Sequence, residues 1–213
     1  MIYLIGGPPR SGKTTLAKTL AKRLGIPWIS TDTLEAISRA YIPKYQWQKV
    51  YPYSHLRRKG GARNNDEFYE IYSASKIIQV LKAQAKSTYK AIDTMIANEI
   101  DNGNDYIIEG YHLVPEFVQT LIKAHGKKNI RTLSLTKFDA NKFAKDVHRS
   151  NTPNDWLIVL TKKEGTFLKV GKMIAKYSSY FEKEAKKYRF DILIMDSNFA
   201  SQIKRGIGLL VKK

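Results

Sequence analysis

The residues from Gly7 to Thr14, Gly7-Pro8-Pro9-Arg10-Ser11-Gly12-Lys13-Thr14, have types and spacing that suit one task, the holding of a phosphate chain. They fit the pattern G-x-x-x-x-G-K-[ST], in which backbone N–H groups wrap phosphate oxygens, a lysine reaches the β- and γ-phosphates and a hydroxyl ligates Mg²⁺. Lys13 and Thr14 take those two roles here, and Thr15 carries the loop onward. A helix starting at this point adds favourable partial charge for an anion. A nucleoside triphosphate with Mg²⁺ is the ligand pair this stretch leads one to expect.

Other residues could act on the bound phosphate. Asp32, in Ser30-Thr31-Asp32-Thr33, suits a carboxylate that accepts the proton of an acceptor hydroxyl. Together with Glu35 it reads equally as a capping box opening a helix. Glu109 ends the apolar run Tyr106-Ile107-Ile108, where a carboxylate can orient Mg²⁺ and its waters or simply close a strand. His112, three residues on, can donate to an anionic acceptor or serve as a structural hydrogen-bond donor. Arg149, with Lys162 and Lys163 further along, is the candidate cation for charge developing on a transferring phosphoryl group, a solvated hinge cation being the alternative. The densest positive cluster, Arg57-Arg58-Lys59-Gly60-Gly61-Ala62-Arg63, follows Tyr45, Trp47, Tyr51 and Tyr53. Its Arg57, Arg58 and Arg63 suit bidentate contacts to a phosphorylated small molecule. Basic and aromatic interleaving also suits single-stranded nucleic acid, and a surface loop is a third reading. No Cys/His metal set or Ser-His-Asp set is recognisable.

These residues need elements to hold them. Apolar runs bounded by turn signals suggest strands at Ile2–Ile5, Pro27–Ser30, Tyr106–Glu109, Ile130–Leu135 and Asp191–Met195. Helical spacing covers Thr15–Leu24, Thr33–Tyr41, Ser73–Asn102, Val114–Ala124, Asn141–His148, Phe167–Arg189 and Ala200–Leu210. The alternation predicts an α/β fold, a five-stranded parallel sheet covered by helices on both faces, with ligands at the carboxyl ends of its strands. Two stretches lack periodicity: 42–66, expected to be an irregular insert on the acceptor side, and 149–166, expected to be a lid. No repeat, linker or low-complexity run divides the chain, so residues 1–213 read as one domain.

Bulk composition narrows the setting. The 213 residues are 43% hydrophobic and 26% charged, ordinary for a globular chain, and no apolar run approaches the length of a membrane span. The first strand starts at residue 2 and Lys13 interrupts any apolar region, so no signal peptide is expected. The absence of cysteine excludes disulfides and thiolate metal sites and agrees with a cytoplasmic setting. The net charge of +18 attracts anions, either as a polyanion-binding face or as a solubilising surface.

The chain resembles the small P-loop kinases of the nucleoside and nucleotide kinase group, and more narrowly 2-phosphoglycerate kinase-like proteins. The resemblance rests on Gly6–Thr15, on Ile29-Ser30-Thr31-Asp32-Thr33 and on Ile107-Ile108-Glu109-Gly110-Tyr111-His112-Leu113-Val114-Pro115. It implies a three-layer P-loop NTPase fold, ATP with Mg²⁺ as donor, and transfer to a small hydroxylated, often anionic acceptor. Lys13 and Thr14 would serve phosphate and metal, Asp32 the acceptor, and Glu109 the Mg²⁺ waters. Three features depart from the family pattern: Arg10 stands where glycine is common, Glu35 where an arginine is usual, and the lid is poor in arginine. A nucleic-acid 5′-hydroxyl or nucleotide kinase, and a non-transferring nucleotide-binding module, are the competing readings.

Overall fold

The computed structural model describes residues 1–58, 64–149 and 155–212. In chain order the elements are β1 (Ile2–Gly6), α1 (Lys13–Leu24), β2 (Trp28–Ser30), α2 (Thr31–Ala40), α3 (Trp47–Val50), α4 (Pro52–Arg58), α5 (Asn65–Ile71) and α6 (Ala74–Asp101). There follow β3 (Tyr106–Gly110), α7 (Pro115–His125), β4 (Ile130–Thr136), α8 (Ala140–Asp146), α9 (Trp156–Val159), α10 (Glu164–Lys187), β5 (Asp191–Ile194) and α11 (Phe199–Val211). The five strands form one parallel sheet in the order β2-β3-β1-β4-β5, as the alternation of patterns predicts.

Both faces of the sheet are buried, which is why its strands read as continuous apolar runs. Successive side chains of β1 point to opposite faces, Tyr3 and Ile5 packing with Leu16 and Leu20 of α1 and Ile203 and Ile207 of α11. Ile2 and Leu4 pack on the other face with Ile92 and Ile96 of α6 and Val118 and Leu121 of α7. The stripe on α1 at Leu16, Ala17, Leu20 and Ala21 is fixed by 3.6-residue periodicity, and cutting the fully buried Leu16 to alanine would cost about 2–5 kcal/mol. A third cluster joins α5, α6, α8 and α10.

Parallel register brings the chemistry to one edge. Gly6 pairs with Gly110, Ile5 with Glu109, and Ser30 with Glu109, so the phosphate loop, Asp32 and the stretch after β3 all leave the sheet at its carboxyl end. Strand order reverses at β1, between β3 and β4, and that is where such sheets open a crevice.

The structure corrects two boundaries. Residues 42–58 are not irregular: they form a 3₁₀ turn at Lys44–Gln46 and then α3 and α4. Helices of four to seven residues are too short to show periodicity in an 11–18-residue window. Tertiary contacts hold them instead, through buried Tyr51 and through the Ser54 N–H, which donates to Gln84 Oε1 at 2.9 Å. In the stretch expected to be a lid, the described residues are also not wholly irregular: α9 forms inside it and α10 starts at Glu164. Asp66 of α5 fastens that start by accepting from Lys162 N (2.9 Å), Lys163 N (3.2 Å) and Thr166 Oγ1 (2.6 Å).

Candidate active site

The phosphate loop runs from the end of β1 into α1. Gly7 allows it because a Cβ there would sit 2.3 Å from Leu135 O, and φ is +143°. Arg10 adopts φ +64°, the left-handed conformation that costs a non-glycine residue about 1–2 kcal/mol. Its guanidinium crosses to α9, where Nη1 donates to Asp155 Oδ2 at 2.5 Å. Lys13 is buried, and its ammonium donates to Pro8 O at 2.7 Å across the mouth of the loop. Burial pushes its pKa below the ordinary value, opposed by the negative charges of Glu109 and Asp32. Thr14 Oγ1 donates to Glu109 Oε1 at 2.9 Å. Burial raises Glu109, opposed chiefly by Lys13 and the Thr14 hydrogen bond. A buried Lys–Glu pair whose charges compensate is thus set beside a hydroxyl that suits a hard cation.

Asp32 lies in the first turn of α2, 67% exposed. The capping-box reading is corrected: Ser30 caps the helix, its Oγ accepting from Asp32 N at 3.2 Å, and Glu35 turns inward instead of reaching back. Glu35 is buried in a polar network that has no local signature in the chain. It pairs with Arg39 and accepts from Ser54 Oγ at 3.0 Å and Gln84 Nε2 at 2.9 Å, while Gln84 Nε2 also lies 2.9 Å from Tyr111 Oη. Burial raises the Glu35 pKa, but contact with His112, the Arg39 charge and the Ser54 hydrogen bond outweigh it and hold the carboxyl below its ordinary value. His112 sits at the centre, its Nδ1 2.8 Å from Thr31 Oγ1 and 3.7 Å from Asp32 Oδ1, its Nε2 3.5 Å from Glu35 Oε2. Gly110 makes the approach possible: a Cβ there would fall 1.6 Å from Thr31 Oγ1.

One cleft of about 1380 Å³ collects Pro9, Arg10, Gly12 to Thr15, Asp32, Arg57, Glu109 and Arg149. His112 is not brought to its surface; it lies behind Asp32 with its side chain wholly buried. Arg58 is not brought there either; it is exposed and stacks on Trp47 with its guanidinium carbon 4.6 Å from the ring centre. Lys162 and Lys163, tied to Asp66 by their backbones, are also off the cleft. Arg149 reaches the rim, 82% exposed and 3.2 Å from Asp146. Arg63 lies outside the described residues. Sequence reasoning passed over Lys137, Asp155 and Trp156, which line the same cleft. Only the glycine-flanked loop had a local signature; these three come from the turn after β4 and the start of α9.

The loop, the strand after it and the carboxylate of β3 fall within one region that known proteins share. A family model described as ATPase family associated with various cellular activities (AAA) matches residues 3–109, half of the chain. The chain belongs to this family. It is 33% identical over 120 residues to a 2-phosphoglycerate kinase of Pyrococcus furiosus, a match covering 56% of this chain and 37% of that one. It is 28% identical over 122 residues to a mevalonate-3-phosphate 5-kinase of Thermoplasma acidophilum, covering 57% of this chain and 55% of that one. The chain thus spans well under two thirds of the length of these relatives. A gluconokinase from Sinorhizobium meliloti 1021 shares the fold with a TM-score of 0.55 at 12% identity, over 98% of this chain and 90% of that one. This AAA-family chain presents its phosphate loop at the carboxyl edge of the sheet.

Among the described residues no helix is long and apolar enough to cross a membrane, and no group of three or more His, Cys, Asp or Glu could hold a metal ion. A metal arriving with a nucleotide needs less: Mg²⁺ takes one or two protein oxygens and fills the rest with phosphate and water. The all-oxygen pair Thr14 Oγ1 and Glu109 Oε1 fits that demand.

Proposed function

We propose that this chain is an ATP- and Mg²⁺-dependent phosphotransferase acting on a hydroxyl of a small, anionic acceptor. The observation that supports it best is the strand register that sets Lys13, Thr14 and Glu109 at one edge, with Asp32 opposite them on the same cleft. A nucleotide alone would need the loop; a carboxylate that is both solvent-open and backed by a buried network suits an incoming hydroxyl.

In this reading the backbone of Gly7 to Thr15 and the Lys13 ammonium hold the β- and γ-phosphates. Thr14 and Glu109 would hold Mg²⁺, which neutralises charge on the phosphate oxygens when bound. Asp32 orients the acceptor hydroxyl and takes its proton as the oxygen bonds to the γ-phosphorus. The bond from that phosphorus to the bridging oxygen breaks, and ADP leaves with the electron pair. Arg10 and Arg149, on the loop and at the rim, are the cations nearest in kind to stabilise the transferring group. The small-molecule acceptors in the relatives' names favour this reading over a nucleic-acid 5′-hydroxyl, and Arg58 on Trp47 weakens the basic cluster as a strand-binding surface.

The test is incubation with γ-labelled ATP, Mg²⁺ and a panel of glycerate phosphates, other small anionic alcohols, nucleosides and 5′-hydroxyl oligonucleotides. Label on a small anionic alcohol, lost in Asp32→Asn with ATP binding intact, is the expected result. ATP turnover indifferent to Asp32→Asn and to every acceptor would replace this reading with a non-transferring nucleotide-binding module.

A further inference from the structure

The cleft has two chemically different ends. At one, Lys13, Lys18, Asn198 and Phe199 surround the phosphate loop. At the other, Tyr53, Leu81, Tyr111, Phe143, Val147 and Trp156 line the space, and all six belong to or pack against a single apolar cluster. They make one continuous wall instead of scattered apolar contacts. Asp32 and Arg57 line the same cleft.

Arg57 is the cation set into this wall. Its Nη2 donates to Asn65 Oδ1 at 3.0 Å, and its guanidinium carbon lies 4.6 Å from the centre of the Phe68 ring and 5.8 Å from that of Trp156. Clamped on these sides, Nη1 is buried and has no hydrogen-bond partner among the described residues. A buried donor is almost always paired, so an orphan beside a cleft points to a ligand atom. Among the other cleft cations, Arg10 has Asp155, and Lys142 and Arg149 share Asp146. Lys18 lies over Trp28, and the Lys137 ammonium lies 5.5 Å from the centre of the Phe143 ring.

We infer, resting on the phosphotransferase reading above, that the acceptor is a hydroxy compound with a single anionic head and an aliphatic body. Its carboxylate or phosphate-ester head binds Arg57, its carbon skeleton lies on the wall, and its hydroxyl meets Asp32. A compact polyanion would leave the apolar wall facing charge. A polyol or nucleoside would bury hydroxyls against surfaces that offer few partners.

The test uses the full chain with γ-labelled ATP, Mg²⁺ and matched acceptors. These are hydroxy acids of constant charge with increasing alkyl substitution, their phosphate-ester counterparts, glycerate phosphates, polyols and nucleosides. The two head-group series identify which anion Arg57 takes. In the preferred series kcat/KM should rise about fourfold for each methylene buried. Arg57→Gln should raise the acceptor KM about 10- to 100-fold with the KM for ATP unchanged, and Arg57→Lys should recover part of the loss. Where Arg57→Gln does not fold, the isosteric Val147→Thr decides, and must reduce the preference for alkylated acceptors. Transfer that favours polyols, nucleosides or glycerate phosphates overturns the inference and leaves the phosphotransferase reading intact, as does an acceptor KM indifferent to Arg57. Transfer to no acceptor, with ATP still bound, overturns that reading itself and this inference with it.

Discussion

Replacing Arg10 separates two opposing terms at the heart of the phosphate loop. Its left-handed backbone is unfavourable by about 1–2 kcal/mol, which glycine would relieve at an entropic cost of about 0.5–1 kcal/mol. Against this stands the 2.5 Å ion pair to Asp155, with side chains 20% and 2% exposed. Breaking a buried pair by removing one partner costs about 3–5 kcal/mol, and the partial exposure of Arg10 lowers that to about 2–3 kcal/mol. Arg10→Ala, which keeps the strain and loses the pair, should therefore be destabilised by about 3 kcal/mol. Arg10→Gly should lose about 2 kcal/mol, the difference being the relieved strain less the glycine entropy. In an Asp155→Asn background, Arg10→Gly should gain about 0.5–1 kcal/mol, the relieved strain less the glycine entropy. Urea titration of the parent and these four variants measures this directly, provided m stays constant so that shifts in midpoint report stability. An Arg10→Gly variant as stable as the parent would refute the ion-pair term, and equal losses for alanine and glycine would refute the strain term.

Other outcomes follow from neighbouring contacts. Gly110→Ala puts a methyl 1.6 Å from Thr31 Oγ1 and should cost about 3 kcal/mol in chemical denaturation, partly restored by Thr31→Ala, whose Cβ would still stand at 2.8 Å. A loss that Thr31→Ala leaves untouched would place the damage elsewhere. Glu35 has a folded-state pKa below its unfolded value, so its stabilisation is present above the ordinary value of 4.5 and fades as pH falls through the lower folded value. Glu35→Gln should therefore be less stable near neutral pH and show a flatter acid limb in melts between pH 7 and about 3; a parallel curve would remove Glu35 from the linkage. Thr14→Ala should raise the Mg²⁺ concentration needed for half-maximal transfer about tenfold or more while metal-free ATP binding changes little, and an unchanged Mg²⁺ requirement would remove Thr14 from the metal site.

The sheet was legible because its signals are local and strong. β1 to β5 appear as short apolar runs within a residue or two of their observed bounds, and long helices such as α6 and α10 repeat their apolar stripe often enough to be read. The short helices between residues 42 and 58 were not legible, since a single turn or two offers no period and their stability comes from Tyr51 and Ser54 packing on α6. The same division runs through the candidate site. The loop from Gly7 to Thr15 was readable as a unit because glycine, lysine and threonine must follow one another in sequence to wrap a phosphate.

Asp32 and Glu109 were recognisable as carboxylates at strand ends, but their partners were not. Whether His112 met a ligand or a protein group depended on how Gly110 lets Thr31 approach, a contact between residues 79 positions apart in sequence, of which a linear reading holds no trace. Arg57 and Arg58 are adjacent and chemically alike, yet helix geometry turns one into the apolar wall and the other onto Trp47 at the surface. The sequence by itself determined the phosphate loop, the parallel sheet and the types of group available for chemistry, because periodicity and spacing within a short segment suffice for each. The tertiary structure alone decided which cation faces the cleft, which carboxylate is buried and which aromatics form a common wall, because those depend on burial and on distances between segments that only folding brings together.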